Sequence, residues 1–498
     1  MNVNPITRLD YPDMDVIRVE DTYYMVSTTM HFMPGCEILQ SFDLVHWEHV
    51  NYVYETLDHT DAQQLKSGQN IYGQGMWAAS LRYHEGRFYV CFVANDTRKT
   101  YLYISEKIDG PWKKQLIEGF YHDGSLLFDE DGRNYIVYGN DEIWITELNE
   151  DLTAPKKDGL HRLLVSDHKN PKLGYEGSHI QKINGYYYIF LVHSLRDRWM
   201  RTEACFYSDS LEGEFTGGDV LCDDRGYCGQ GVAQGGIVDT PDGKWYAMLF
   251  QDSGAVGRIP ILLPVTWKDH FPIFGQNGHV PEEIEVHSTR PGYIYQPLVG
   301  SDDFCNGLLP RWQFNHDPDP RYYHLDALQG TYTITTREVC TELTQAVNTL
   351  TQRMSYPSCA AEVTVDASAL KEGDVAGLCA LQGCYAAVGI TKHHGKYEVL
   401  MLDKKEDGIL DMTEGTVVES HQMDFRLEAD FCNMKDEARC YYRVNKGDWL
   451  PIGTVHKLYF KLDHFTGCRF GLFCYAAEET GGSACFRDFK YYDVDEIS

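Results

Sequence analysis

Three carboxylic acids in this 498-residue chain share a spacing that could do chemistry. Asp13 stands eleven residues before Tyr24, Asp123 twelve before Tyr135, and Glu176 twelve before Tyr188. Trp77 and Gln234 hold the same place before Tyr89 and Tyr246. Acids brought together in a partly apolar pocket perturb one another, so that a proton donor and a proton acceptor coexist near neutral pH. A carboxylate pair flanking one bond is the apparatus of glycoside hydrolysis. A glutamate at the head of one strand, as in GYEGSHIQKINGYYYIF (174–190), is ordinarily a solvated loop residue; three acids in one register ask for an architecture that gathers them.

The five tyrosines supply it. Each ends a hairpin phrase: VEDTYY at Tyr24, HEGRFY at Tyr89, DEDGRNY at Tyr135, INGYYY at Tyr188 and PDGKWY at Tyr246. DG and NG turns between β-branched or aromatic runs are strong hairpin signals. Segments such as SFDLVHW, ending at Trp47, and SEKIDGPW, ending at Trp112, add further strands, giving about four per unit, the content of a propeller blade. The reading is an all-β chain whose residues 1–295 form a five-bladed β-propeller; hairpins stacked in two sandwiches are the alternative. In a propeller the innermost strands start at the central channel, so Asp13, Asp123 and Glu176 would face one funnel with Trp77 and Gln234 beside them. Gly124, Gly177 and Gly235 leave room for a ligand to approach the backbone.

Bulk properties narrow the partners. A formal charge of -30 disfavours nucleic acid and anionic membranes and leaves a neutral small molecule as the better ligand. The fifteen cysteines include no CxxC pair, which argues against a disulfide framework or structural zinc and for reduced thiols. The start, MNVNPITRLDYPDMD, has neither a basic nor an apolar segment of a leader, and prolines interrupt the longest apolar run, Ile259 to Val265, so a cytoplasmic location is expected. Homo-oligomerisation is left open.

These motifs resemble glycoside hydrolase family 43. NPITRLDYPDMDVIRVEDTYYMVSTT resembles the family's opening signature, with Asp13 as general base; HDGSLLFDEDG resembles the segment of the third carboxylate, Asp123; YEGSHI resembles that of the general acid, Glu176. MHFMPG (30–35), the Trp77 segment, SFDLVHW and GAVGRIPILLPVTW match further, the last with Arg258 at a position that contacts sugar hydroxyls. DDFCNGLLPRWQFNHDPDPRYYHLDALQGTYTI, AVNTLTQR and KEGDVAGLCAL resemble the concanavalin-like β-sandwich of the β-xylosidase and arabinofuranosidase branch, which places that domain at 300–498 after a turn-rich connector, 287–301.

The resemblance implies an inverting exo-acting β-xylosidase with α-L-arabinofuranosidase activity on short xylo-oligosaccharides, with endo-arabinanase or a non-catalytic carbohydrate-binding propeller as alternatives. Asp13 would activate water while Glu176 protonates the leaving oxygen, their carboxyls roughly 6.5–9.5 Å apart, and Asp123 would raise the proton affinity of Glu176. Phe32 and Trp77 are expected as apolar walls for a pentose, and Arg258 and Gln234 as polar contacts. Many family members have His in a calcium or water network where this chain has Gln234. The chemistry requires no cofactor; Asp303 and Asp488 resemble calcium ligands of the sandwich, and Gln234 could lend a carbonyl oxygen to a cation.

Overall fold

The structure is a computed structural model that describes residues 2–167, 169–413 and 415–493. Residue 1 and residues 494–498, at the outer ends of the two expected domains, lie outside the described residues. Among those described, regular structure is strands and four 3-10 turns, and no helix is long and apolar enough to cross a membrane. All fifteen cysteines are free thiols.

Five four-stranded antiparallel sheets follow one another along the chain. Their innermost strands are Asp15–Val19, Ser80–His84, Ser125–Phe128, Glu176–Ile183 and Val232–Asp239. The recurring tyrosines explain themselves in the packing. Tyr89, Tyr135, Tyr188 and Tyr246 lie buried in the apolar layers between adjacent sheets, and Tyr24 packs against such a layer. One layer joins each neighbouring pair, and a fifth closes the ring, setting Met14, Val16 and Tyr23 of the first blade against Val238, Met248 and Phe250 of the last. Burying a large apolar side chain stabilises by about 1.5–3 kcal/mol, so these layers outweigh any single polar contact in holding the ring closed. Polar clasps set the closure register: Asn2–Val3 pairs with Glu283–Ile284, and Asn4 Nδ2 donates to the carbonyls of Leu262 and Pro281.

Inside the ring, Arg82 plugs the channel beneath the three acids. It donates to Asp15 at 2.7 Å, to Ser125 Oγ and to the carbonyls of Leu126 and Ile180, tying four of the five innermost strands together with His179, which lies 3.2 Å from Asp15. Burial works against ionised Asp15, but Arg82 and His179 draw it down to about 2.

The second domain is a sandwich of two sheets over one large core. Its first sheet ends in a strand borrowed from the propeller, Phe32–Met33, which pairs with Gln313–Asn315. The domains are further locked by Arg353, which reaches Glu37 at 2.7 Å and the Asp10 carbonyl at 2.8 Å and lies 4.1 Å over the Tyr11 ring. Asp10 accepts from the backbone nitrogens of Arg258 and Gly467, one from each domain. The segment leading to Asp13 is thus wedged between propeller and sandwich.

Candidate active site

Asp13, Asp123 and Gln234 take the same unusual backbone state, with φ of 51°, 48° and 66°, just before or near the start of their innermost strands. A positive φ is uncommon outside glycine, and finding it at three equivalent positions marks a backbone turned to aim side chains. In the fourth blade the positive φ falls on Gly177, at 64°, one residue after Glu176. Glu176 therefore sits a step out of register and remains about one-fifth exposed at the cavity rim, while Asp13 and Asp123 are buried. Gly177 is required twice over, because a Cβ there would also stand 2.8 Å from Gln234 Cγ.

Each acid has a distinct surrounding. Asp13 Oδ1 receives two donors, Arg258 Nη1 at 3.0 Å and Gln234 Nε2 at 2.9 Å, while Oδ2 receives, among the described residues, Thr28 Oγ1 alone, at 2.7 Å. Asp123 Oδ2 accepts from the Gly177 backbone nitrogen at 2.8 Å. Glu176 Oε2 accepts from Asn140 Nδ2 at 3.0 Å. His122 Nε2 lies between the last two acids, 3.4 Å from Asp123 and 3.6 Å from Glu176. Burial disfavours a charge on His122, yet Asp123, Glu176 and Asp13 raise it to about 9, so it is cationic at neutral pH. Burial likewise pushes the Asp123 carboxyl up to about 6, with His122 opposing and Glu176 and Asp13 adding to the rise. One donor atom from each of His122, Asp123 and Glu176 lies within 4.8 Å of the others, the only such cluster of three or more His, Cys, Asp or Glu among the described residues.

A cavity of about 600 Å³ opens at Glu176 and His122, while Asp13, Asp123 and Gln234 line a smaller hollow at the channel axis. The larger cavity's propeller side carries Trp77, His122, Asn140, Glu176, Trp199 and Arg201; its other side is built by the sandwich, through Met434 and Phe460, Lys461, Leu462 and Phe465. Trp77 faces Phe465 at 5.6 Å between ring centres, so aromatic surfaces from both domains meet across the opening.

The placement of the residues expected from sequence is uneven. Asp13, Asp123, Glu176, Trp77 and Gln234 come together. Arg258 does too, but 2 % exposed: it holds Asp13, donates to the Phe465 carbonyl at 3.3 Å and is covered by the Phe465 ring at 4.3 Å. Phe32 is not among the cavity residues. Strand pairing with the sandwich buries it to 1 % exposure in an interdomain cluster, with the Arg469 guanidinium 3.5 Å over its ring. Gln234 turns its carbonyl oxygen toward the Arg201 guanidinium, at 3.5 Å. Asp303 and Asp488 line a separate sandwich hollow with Ser301, Asp302 and Asn306; these are hard oxygen donors of the kind calcium takes, but the hollow shares no residue with the cavity at Glu176. Sequence reasoning missed His122, Arg201, Asp252, Phe460 and Phe465. Only His122, adjacent to Asp123 in HDG, carried a local signal.

A five-bladed propeller whose channel mouth gathers three carboxylates beside an aromatic cavity defines a glycoside hydrolase of the propeller class. The chain belongs to glycosyl hydrolases family 43, whose sequence profile matches residues 3–272, and residues 301–492 match the beta xylosidase C-terminal concanavalin A-like domain. It is 27 % identical to a β-xylosidase of Formosa agariphila over 99 % of this chain and 89 % of that protein. It is 23 % identical to a xylosidase/arabinosidase of Butyrivibrio fibrisolvens over 99 % of both. A solved bifunctional GH43-CE structure from Bacteroides eggerthii superposes with a TM-score of 0.91 at 42 % identity, covering 99 % of this chain; the chain spans 63 % of that longer protein.

Proposed function

We propose that the protein is an inverting, exo-acting glycosidase that releases single pentoses from the non-reducing ends of short xylo-oligosaccharides, cleaving β-xylosides and also α-L-arabinofuranosides. The observation that carries this reading is the cavity at Glu176, walled on one side by Phe460, Lys461, Leu462 and Phe465 of the sandwich. Such a wall favours entry of a chain end over passage of a polymer through an open groove. The names of the relatives support the two sugars.

Asp13 is the base. With two donors on Oδ1, its Oδ2 has, among the described residues, the Thr28 hydroxyl alone and retains lone-pair capacity for a water. That water adds to the anomeric carbon as its proton passes to Asp13, and the glycosidic oxygen leaves with a proton from Glu176. His122 and Asp123 form the charged floor beside Glu176: the His122 cation balances Asp123, and the Gly177 amide fixes its oxygen. Trp77 and Phe465 supply apolar surface to the sugar, and Arg258 keeps Asp13 aimed.

Product analysis by proton NMR tests the proposal. Xylobiose and an arabinose-decorated xylotriose should yield free pentoses, the xylose appearing first as the α-anomer. Initial β-xylose would overturn inversion, mixed oligomers would overturn exo action, and an intact substrate would overturn hydrolysis of these linkages. Glu176→Ala should lose about 10²- to 10⁴-fold on xylobiose yet largely keep turnover of an aryl xyloside whose leaving group needs little protonation. Equal losses on both would remove Glu176 from the role of acid.

A further inference from the structure

Gln234 is gripped at both ends by one strand of the neighbouring blade, Arg201–Ser208. Residues 201 and 203 share a face of that strand. Glu203, fully buried, accepts the Gln234 backbone N–H at 2.7 Å, while Arg201 Nη1 approaches the Gln234 side-chain carbonyl at 3.5 Å. Burial pushes the Glu203 carboxyl well above the usual range, and the Gln234 amide opposes the rise. Arg201 is in turn fixed: its Nε donates to Asp252 Oδ2 at 3.0 Å, and the guanidinium packs 5.4 Å from the Phe250 ring centre. Phe250 and Asp252 also share a face of their strand, Trp245–Asp252, and the same phenyl ring carries Arg258 at 5.5 Å. The far end of the Gln234 amide donates to Asp13 Oδ1. Arg201 can only donate and a carboxylate can only accept, so the two neighbours together dictate which way the amide points.

We infer that Asp252, Arg201 and Gln234 form a relay that orients the Asp13 carboxylate, with Arg201 a positioning residue that acts through Gln234. The inference rests on the proposed role of Asp13 as base. Without Arg201 the Gln234 amide has no partner for its carbonyl oxygen in the relay and is free to rotate, which takes its donor from Asp13. Oδ1 then keeps Arg258 alone, and the oxygen that faces the water loses its fixed direction. A displacement of about 1 Å at a reacting group costs on the order of a hundredfold.

The test is a double-mutant cycle of Arg201→Met and Gln234→Leu on 4-nitrophenyl β-D-xyloside and xylobiose. Each single variant should lower kcat about tenfold to a hundredfold with KM within about twofold of the parent, and the acid limb of the kcat/KM profile should move to higher pH. The double variant should be no slower than Gln234→Leu alone, because the two residues act as one unit. Asp252→Asn should show a smaller loss of the same form and serves if Arg201→Met does not fold. Losses that multiply, or a rise in KM at constant kcat, would make Arg201 a direct substrate contact and overturn the relay. A second readout does not depend on turnover: in a ¹⁵N-glutamine-labelled sample, with the Gln234 side-chain amide assigned through Gln234→Leu, Arg201→Met or Asp252→Asn should shift that resonance toward the free-amide position. An unmoved resonance refutes the relay. If the parent protein cleaves neither xyloside, the proposed function fails while the amide resonance still decides whether the relay exists.

Discussion

Replacing Arg353 by Met tests whether the sandwich is part of the catalytic machinery's foundation. Arg353 and Glu37 form an ion pair whose side chains are 5 % and 3 % exposed. Burial alone would raise Glu37, but Arg353 and then His49 draw its carboxyl from 4.5 down to about 2. Each tenfold change in proton affinity corresponds to about 1.4 kcal/mol, so the fall is worth roughly 3 kcal/mol. That matches the roughly 3–5 kcal/mol lost when one partner of a buried pair is removed and the other charge is stranded. At about 2.1 cal/mol/K of unfolding entropy per residue, 1 kcal/mol is worth about 1 °C in a 498-residue unit, so Arg353→Met should lower the calorimetric Tm by about 3–5 °C. Because the folded-state value of Glu37 lies below the unfolded one, its contribution is present above pH 4.5 and lost as the pH falls through about 2. The parent's contribution from Glu37 should therefore be constant from pH 6 to 8. Adding Glu37→Gln should restore much of the loss by removing the stranded charge. Arg353 also holds the Asp10 carbonyl and lies over Tyr11, so kcat should fall about tenfold as the approach to Asp13 loosens. A Tm change under about 2 °C with kcat unaltered would show that this contact neither locks the domains nor steadies Asp13, and the reasoning would fail.

Two further outcomes follow from the site. His122 is raised to about 9 in the folded chain, so its charge stabilises fully below pH 6.5 and ceases to do so as the pH rises through 9. His122→Asn should cost roughly 3 kcal/mol near pH 6 and little by pH 10, read from denaturant unfolding at each pH; a cost independent of pH would assign His122 to packing alone. Phe465→Ala should reduce kcat/KM for xylobiose about tenfold to a hundredfold by removing the ring that covers Arg258 and faces Trp77, and an unchanged value would mean that the sugar does not use the sandwich wall.

What the sequence disclosed and what it hid follow from how far apart the determinants lie. A blade is a local object: the DG or NG turn, the tyrosine and the acid eleven or twelve residues before it sit on one hairpin, so the pattern can be read along the chain. Ring closure then places the acids, because five copies of one hairpin leave their starts on one axis. The walls obey no such rule. Phe32 and its two-residue strand look like a propeller loop until they pair with Gln313–Asn315, and only that partner, almost three hundred residues on, turns the ring away from the cavity. Phe460 and Phe465 come from a sandwich loop with no periodic signal, and Arg201 and Asp252 lie at strand ends where a charged residue is ordinarily solvent-facing. The one-residue offset in the fourth blade was equally invisible, since Glu176 satisfies the spacing as well as its left-handed neighbour Gly177 would. Yet that offset is what separates the surroundings of the two proposed partners: it lifts Glu176 to the cavity rim, about one-fifth exposed, and leaves Asp13 buried under two fixed donors.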